Sequence, residues 1–160
     1  MMVSMSSTVD WQVALLDLLN TTPVIDGQTV DKLDGRWLRA HGAPKDVDAV
    51  RAVRDDLQRV VRIEADPSVL GRYLTDVRQM PDIGPDGVAW SLEADWPARI
   101  VLAWGEVERD MPGRLRPCAN EDCRLFLLDR SRAGTARWCS MSGCGNRMKA
   151  RRHYSKTRRD

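Results

Sequence analysis

Cys118-Ala119-Asn120-Glu121-Asp122-Cys123 and, fifteen residues later, Cys139-Ser140-Met141-Ser142-Gly143-Cys144 hold all four cysteines of the 160-residue chain, and each pair encloses four residues. Two close thiolate pairs brought together across a connecting hairpin supply the four soft ligands that tetrahedral zinc prefers. The linking chain fits such a hairpin. Leu125-Phe126-Leu127-Leu128 reads as a strand, Arg130 to Gly134 as a turn, and Ala136-Arg137-Trp138 as the return to Cys139. Cys144 then stands at the mouth of a helix through Met148 and Arg152. A segment of about 45 residues cannot hold itself together by apolar burial alone. A structural zinc contributes on the order of 10 kcal/mol or more to such a fold. Disulfides, redox-active thiols and an iron–sulfur cluster are the alternatives. A reducing compartment disfavours the first, and the CxxC redox spacing is absent. Four cysteines leave no open position for water, so the centre reads as one structural Zn²⁺, with His153 as the alternative fourth ligand.

Charge divides the chain in the same place. Residues 1–110 carry 12 Lys+Arg against 19 Asp+Glu, a balance of −7, whereas residues 111–160 carry 13 against 4, a balance of +9. Four thiolates with one Zn²⁺ lower that tail to about +7. An acidic body with a basic, cysteine-bearing tail points to an anionic partner. Arg147, Lys149, Arg151, Arg152 and Lys156, followed by Arg158 and Arg159, form one helix-plus-tail run after Cys144. Arginine offers planar bidentate donors to phosphate, which makes the first five the candidate nucleic-acid contacts. The competing reading is a solvated basic helix docked on an acidic surface of its own or another chain. For Asn146, a backbone bond beside the zinc knuckle is favoured over an adenine edge, and Arg147 has bracing the thiolates or the hairpin as its alternative to guanine.

Upstream, Trp11, Leu15, Leu18 and Leu19 recur at helical spacing, and Asp26-Gly27 turns a short hairpin between Val24-Ile25 and Thr29-Val30. A long amphipathic helix is expected from about Asp46 to Ile63, and another from Asp66-Pro67 to Pro81 with Val69, Leu70, Tyr73, Leu74 and Val77 as its stripe. Gly84-Pro85-Asp86-Gly87 is a turn, and Val88, Trp90 and Leu92 alternate as a half-buried strand does. Pro97 opens a last helix through Ile100, Trp104 and Val107, and Pro112-Gly113 marks the boundary between 1–112 and 113–160. Trp11, Trp90 and Trp104 are expected in the core, Trp37 or Trp96 at the edge of a pocket, and His41 exposed in a turn.

Hydrophobic residues make up 42% of the chain, enough for a core. No run of about 18 apolar residues offers a membrane span. Met1 to Asp10 has neither a basic stretch nor an apolar block, so no secretion signal is read and a cytoplasmic location is expected. The body shows no paired carboxylates, nucleophile elbow or phosphate-binding glycine loop, so an enzyme is disfavoured.

The run Cys139-Ser140-Met141-Ser142-Gly143-Cys144-Gly145-Asn146-Arg147-Met148-Lys149-Ala150-Arg151-Arg152-His153 resembles the CGNR zinc finger. Cys118 to Cys123, then Leu125-Phe126-Leu127 through Asp129-Arg130-Ser131-Arg132, match that family's first half, so that the resemblance covers about 114–154. The body is similar to the ABATE domain through Leu16-Asp17-Leu18-Leu19-Asn20-Thr21 and the Asp26-Gly27 turn. The resemblance implies an α+β chain: a helix-rich N-terminal domain with a few short strands, plus a small C-terminal treble-clef-like finger. It further implies Cys118, Cys123, Cys139 and Cys144 as zinc ligands, and a ligand-sensing role for 1–112. The function implied is that of a stress-induced bacterial transcription regulator. DNA is the expected partner, with a homodimer or a second protein adding specificity and an unidentified small molecule on the body. The alternative is a zinc-dependent protein-interaction module that docks on another regulator or on polymerase.

Overall fold

A computed structural model describes residues 9–157, with side chains through 154. Aspartates start the helices. Asp10, Asp34, Asp46 and Asp95 cap α1 (Trp11–Leu19), α2 (Gly35–Ala40), α3 (Val47–Val61) and α4 (Trp96–Asp110). Asp66 caps a 3₁₀ segment, Pro67–Tyr73. Each carboxylate accepts from backbone N–H groups that have no partner within the helix, a contribution of about 1 kcal/mol per cap. Part of the body's negative charge is therefore architectural.

Three helices form the core. Leu15, Leu18 and Leu19 of α1, Val50, Val53 and Leu57 of α3, and Ile100 and Val107 of α4 are buried in one cluster. Their 3.6-residue spacing gives each helix one apolar face, as the sequence predicts. Strands β1 (Val24–Ile25) and β2 (Gln28–Thr29) pair around Asp26 and Gly27, whose φ values of 51° and 79° are those a tight hairpin turn requires. No described helix is long and apolar enough to cross a membrane.

The same core continues into the tail. Strand β5 (Leu115–Pro117) pairs antiparallel with β6 (Phe126–Leu128), and Leu115 and Phe126 are buried with the body's leucines and valines. Asn20, at the end of α1, grips β6 by both backbone groups: its amide donates to Phe126 O at 3.2 Å, and its oxygen accepts from Phe126 N at 2.7 Å. Arg62 lies 4.3 Å over the Phe126 ring and donates to Arg124 O at 2.6 Å. The mixed helix and small-hairpin architecture agrees with the α+β expectation.

Four local expectations are corrected. The helix expected up to Pro81 is the 3₁₀ segment alone; Pro81 lies inside β3 (Arg78–Gly84), which pairs with β4 (Gly87–Glu93). A proline disfavours helix in the turn before it, and pairing with 87–93 supplies the backbone bonds instead. Trp90 alternates as read, but its face is uncovered and its side chain is 65% exposed. His41 is half-buried, stacked 3.8 Å from Trp37, with Nδ1 against Trp37 O at 2.9 Å and Nε2 against Asp17 at 3.2 Å. Trp37 and Trp96 meet edge to face and pack on the body core, away from the cleft described below.

Candidate metal centre

The β5–β6 hairpin presents the first cysteine pair. Cys118 follows β5 and its N–H donates to Leu125 O at 2.8 Å, extending the ladder; Cys123 N then closes a knuckle on Asn120 O at 2.8 Å. The second pair comes on the return. Ser140 Oγ accepts from Gly143 N at 2.9 Å, and Gly145 N reaches back to Ser140 O at 2.9 Å in one wide turn. That turn runs into α5 (Asn146–Thr157). A Cβ on Gly145 would sit 2.9 Å from Met141 Sδ, the movable end of an exposed side chain, and 3.3 Å from Trp138, so the turn closes tightly against both. Trp138 thus packs at this turn.

The four Sγ atoms of Cys118, Cys123, Cys139 and Cys144 lie within 4.8 Å of one another. Cys123 to Cys139 is 3.8 Å and Cys139 to Cys144 is 3.7 Å. A tetrahedron with Zn–S bonds of about 2.3 Å has edges of about 3.8 Å. All four are free, with Sγ separations far beyond the length of an S–S bond, so the disulfide reading fails on geometry. Burial pushes the Cys123 thiol up to about 11 and raises Cys139 as well, with the neighbouring Cys118 charge adding to both. Burial also opposes ionisation of Cys144, but hydrogen bonds from Asn120 and the other thiols outweigh it and lower that group. Four thiolates in this volume require a cation between them. The donor set fits one structural zinc.

Asn120 is the part of the site that spacing rules do not flag. It is fully buried, and its amide donates to Cys144 Sγ at 3.4 Å while its oxygen accepts from Asp122 N at 3.3 Å. Cys139 N donates to Cys118 Sγ at 3.4 Å. Donors of this kind spread thiolate charge and fix ligand orientation. A polar residue between two cysteines of a knuckle is the signal that could have found it. His153 stands on the exposed part of α5 with its ring edge-on to Tyr154, and it is not among the residues gathered here.

Two of the tail's arginines hold its frame. Buried Asp129 accepts from Arg116 at 2.6 Å, from Ser131 Oγ at 2.6 Å and from Ala136 N at 2.9 Å. The Ser131 hydroxyl leads the set of donors that lower its carboxyl pKa. Arg116 and Arg114 also reach carbonyls of the return segment, Gly134 O at 3.0 Å and Ser131 O at 2.6 Å. These charges serve the hairpin, and the basic character left for a partner concentrates on α5.

On α5 the predicted contacts divide by face. Arg151 pairs with Asp122 at 2.5 Å, which turns its side of the helix toward the first knuckle. Arg147, one turn earlier, borders a shallow cleft with Glu121 and Asp122. At 100° per residue, positions 149, 152 and 156 fall within about 60° of one another on the opposite side. Lys149 and Arg152 are exposed there; the Lys156 side chain, with Arg158 and Arg159, lies outside the described residues. Asn146 donates to Ser142 O at 3.4 Å, the backbone role favoured for it.

No curated protein matches the chain. The stretch that builds this centre, residues 114–157, matches the model of the CGNR zinc finger family.

Proposed function

We propose that the chain is a cytoplasmic, bacterial DNA-binding transcription regulator, in which a closed four-cysteine zinc centre holds α5 against the nucleic-acid backbone. The observation that carries this reading is the concentration of basic residues on α5, with Lys149 and Arg152 exposed on the side of the helix opposite Arg151. A helix fixed at one end by zinc, with basic residues along one face, meets phosphates without ordering a loose tail. Arg151 faces the first knuckle, where it pairs with Asp122, and belongs in a supporting position. The residues gathered at the metal are all cysteines, so we read the metal as structural and the protein as a binding protein rather than an enzyme.

For residues 1–112 we propose an ABATE-like, ligand-sensing role. Its support is a cleft of about 450 Å³ between α3, the 3₁₀ segment and α4, lined by Ala49, Ala52, Arg72, Tyr73, Asp76 and Ala98 among others. A second reading, a module that docks on an acidic protein, draws on the Arg151–Asp122 pair, in which α5 already receives a carboxylate.

Titration of the zinc-loaded chain against a short duplex at several salt concentrations decides between the two. Binding is expected to weaken linearly in log–log form, and Lys149→Ala with Arg152→Ala should lower the slope by about 2. Arg151→Ala should have a smaller effect. Absence of binding at low salt, or a slope that the double variant leaves unchanged, overturns the DNA reading.

A further inference from the structure

The β3–β4 hairpin has an apolar side that nothing among the described residues covers. Directly opposed residues of an antiparallel pair share a face, so Ile83 with Val88, Pro81 with Trp90, and Gln79 with Leu92 line one side. That side carries no charge, whereas Arg78, Asp82 and Glu93 lie on the other. Every residue of both strands is exposed, with Ile83 at 83%, Val88 at 61% and Trp90 at 65%. Beside the body Leu92 borders a small cleft of about 170 Å³ with Trp11 and Leu102, rimmed by the charged Arg99 and Glu106, and Arg99 donates to Leu92 O at 3.0 Å. A two-stranded ribbon is marginally stable in water by itself. An aromatic and three aliphatic side chains on its open face mark an interaction surface.

We propose that this face is a dimer interface, on which the hairpin of one chain packs face to face against the same hairpin of a second copy about a two-fold axis. Three observations select a second copy. The face is uncharged, so the strong charge asymmetry of the chain plays no part there, and an isologous contact opposes no like charges. The ladder runs through Pro81, which has no N–H; its nitrogen therefore lies on the outer edge of β3 and blocks a further strand there, while Arg99 already occupies Leu92 O at 3.0 Å on the outer edge of β4, which favours face packing. The area also suffices. Ile83, Val88, Trp90 and Leu92 expose about 500 Å² together, so two copies bury about 1,000 Å², the lower bound for a specific interface. This proposal does not depend on the DNA reading.

Sedimentation equilibrium of the full, zinc-loaded chain, from about 1 to about 200 µM, tests it. A monomer–dimer equilibrium with a Kd on the order of 10 µM is expected, as suits an interface at the small end of the range. Trp90→Ser with Ile83→Thr should weaken association at least tenfold, and Val88→Lys should abolish it. Because these side chains are exposed in the single chain, the zinc content of each variant and its urea midpoint at about 1 µM, below the expected Kd, should stay unchanged, which separates lost association from lost folding. A wild-type chain that remains monomeric throughout overturns the proposal, and so does a dimer that persists undiminished in Val88→Lys.

Discussion

Removing the Asn20 side chain should loosen the finger's hold on the body while leaving the shared apolar core in place. Asn20 replaces, for one residue, the strand that β6 lacks on its free edge: it donates to Phe126 O at 3.2 Å and accepts from Phe126 N at 2.7 Å. Phe126 is itself 1% exposed, so its backbone groups have little access to water once the amide is gone. Two hydrogen bonds at about 1 kcal/mol each, plus part of the desolvation cost of the groups left unpaired, place the loss for Asn20→Ala at about 2–3 kcal/mol. Asn20→Asp keeps the acceptor for Phe126 N and loses only the donor, so it should fall between wild type and alanine. Urea unfolding of the zinc-loaded chain, followed by tryptophan emission, measures both at constant zinc. Hydrogen exchange at the Phe126 amide should accelerate in step. A loss below about 0.5 kcal/mol for Asn20→Ala, or exchange that does not change, would refute the claim that this side chain ties α1 to β6.

Two further perturbations follow from individual contacts. Asn120→Ala deletes the donor to Cys144 Sγ and should lower zinc affinity about ten- to a hundredfold in competition with a chelator, since bonds of this kind orient and stabilise metal ligands. Burial alone would raise the Asp31 carboxyl, but hydrogen bonds from Arg54, Leu33 N and Arg51 outweigh it and bring the group from 3.8 down to about 2. A carboxyl depressed on folding adds stability that is present above its unfolded value and lost as pH falls through the folded one. The acid limb of the stability curve between pH 3.8 and about 2 should therefore flatten in Asp31→Asn relative to wild type.

What the sequence made legible is what local chemistry dictates. Cysteine spacing identified the four ligands because tetrahedral coordination needs two short loops facing one another. Asp26-Gly27 announced its hairpin because both positions require positive φ. The apolar stripes of α3 and α4 stand out because each helix buries one face. Features decided by distant partners were not visible. Pro81 reads as a helix stop, and only pairing with 87–93 turns it into an edge residue of a strand. Alternation at Val88, Trp90 and Leu92 says that one side of the strand is apolar, not whether anything covers it. α2 is six residues long, too short for a periodic signal, and forms because Asp34 caps it and Leu38 reaches the core. Asn20 acts on a residue 106 positions away, beyond the reach of any spacing rule, and the bond from Asn120 to Cys144 spans 24.

A closed centre of four cysteines is the claim on which the placement of α5 depends. Zinc K-edge X-ray absorption on the metal-loaded chain, with metal analysis of the same sample, addresses it directly. The account predicts one zinc per chain surrounded by four sulfurs at about 2.3 Å. Three sulfurs with one nitrogen or oxygen, which would put His153 or water on the metal, would contradict it. So would clearly less than one equivalent of metal in a chain whose cysteines are reduced and whose tail is folded.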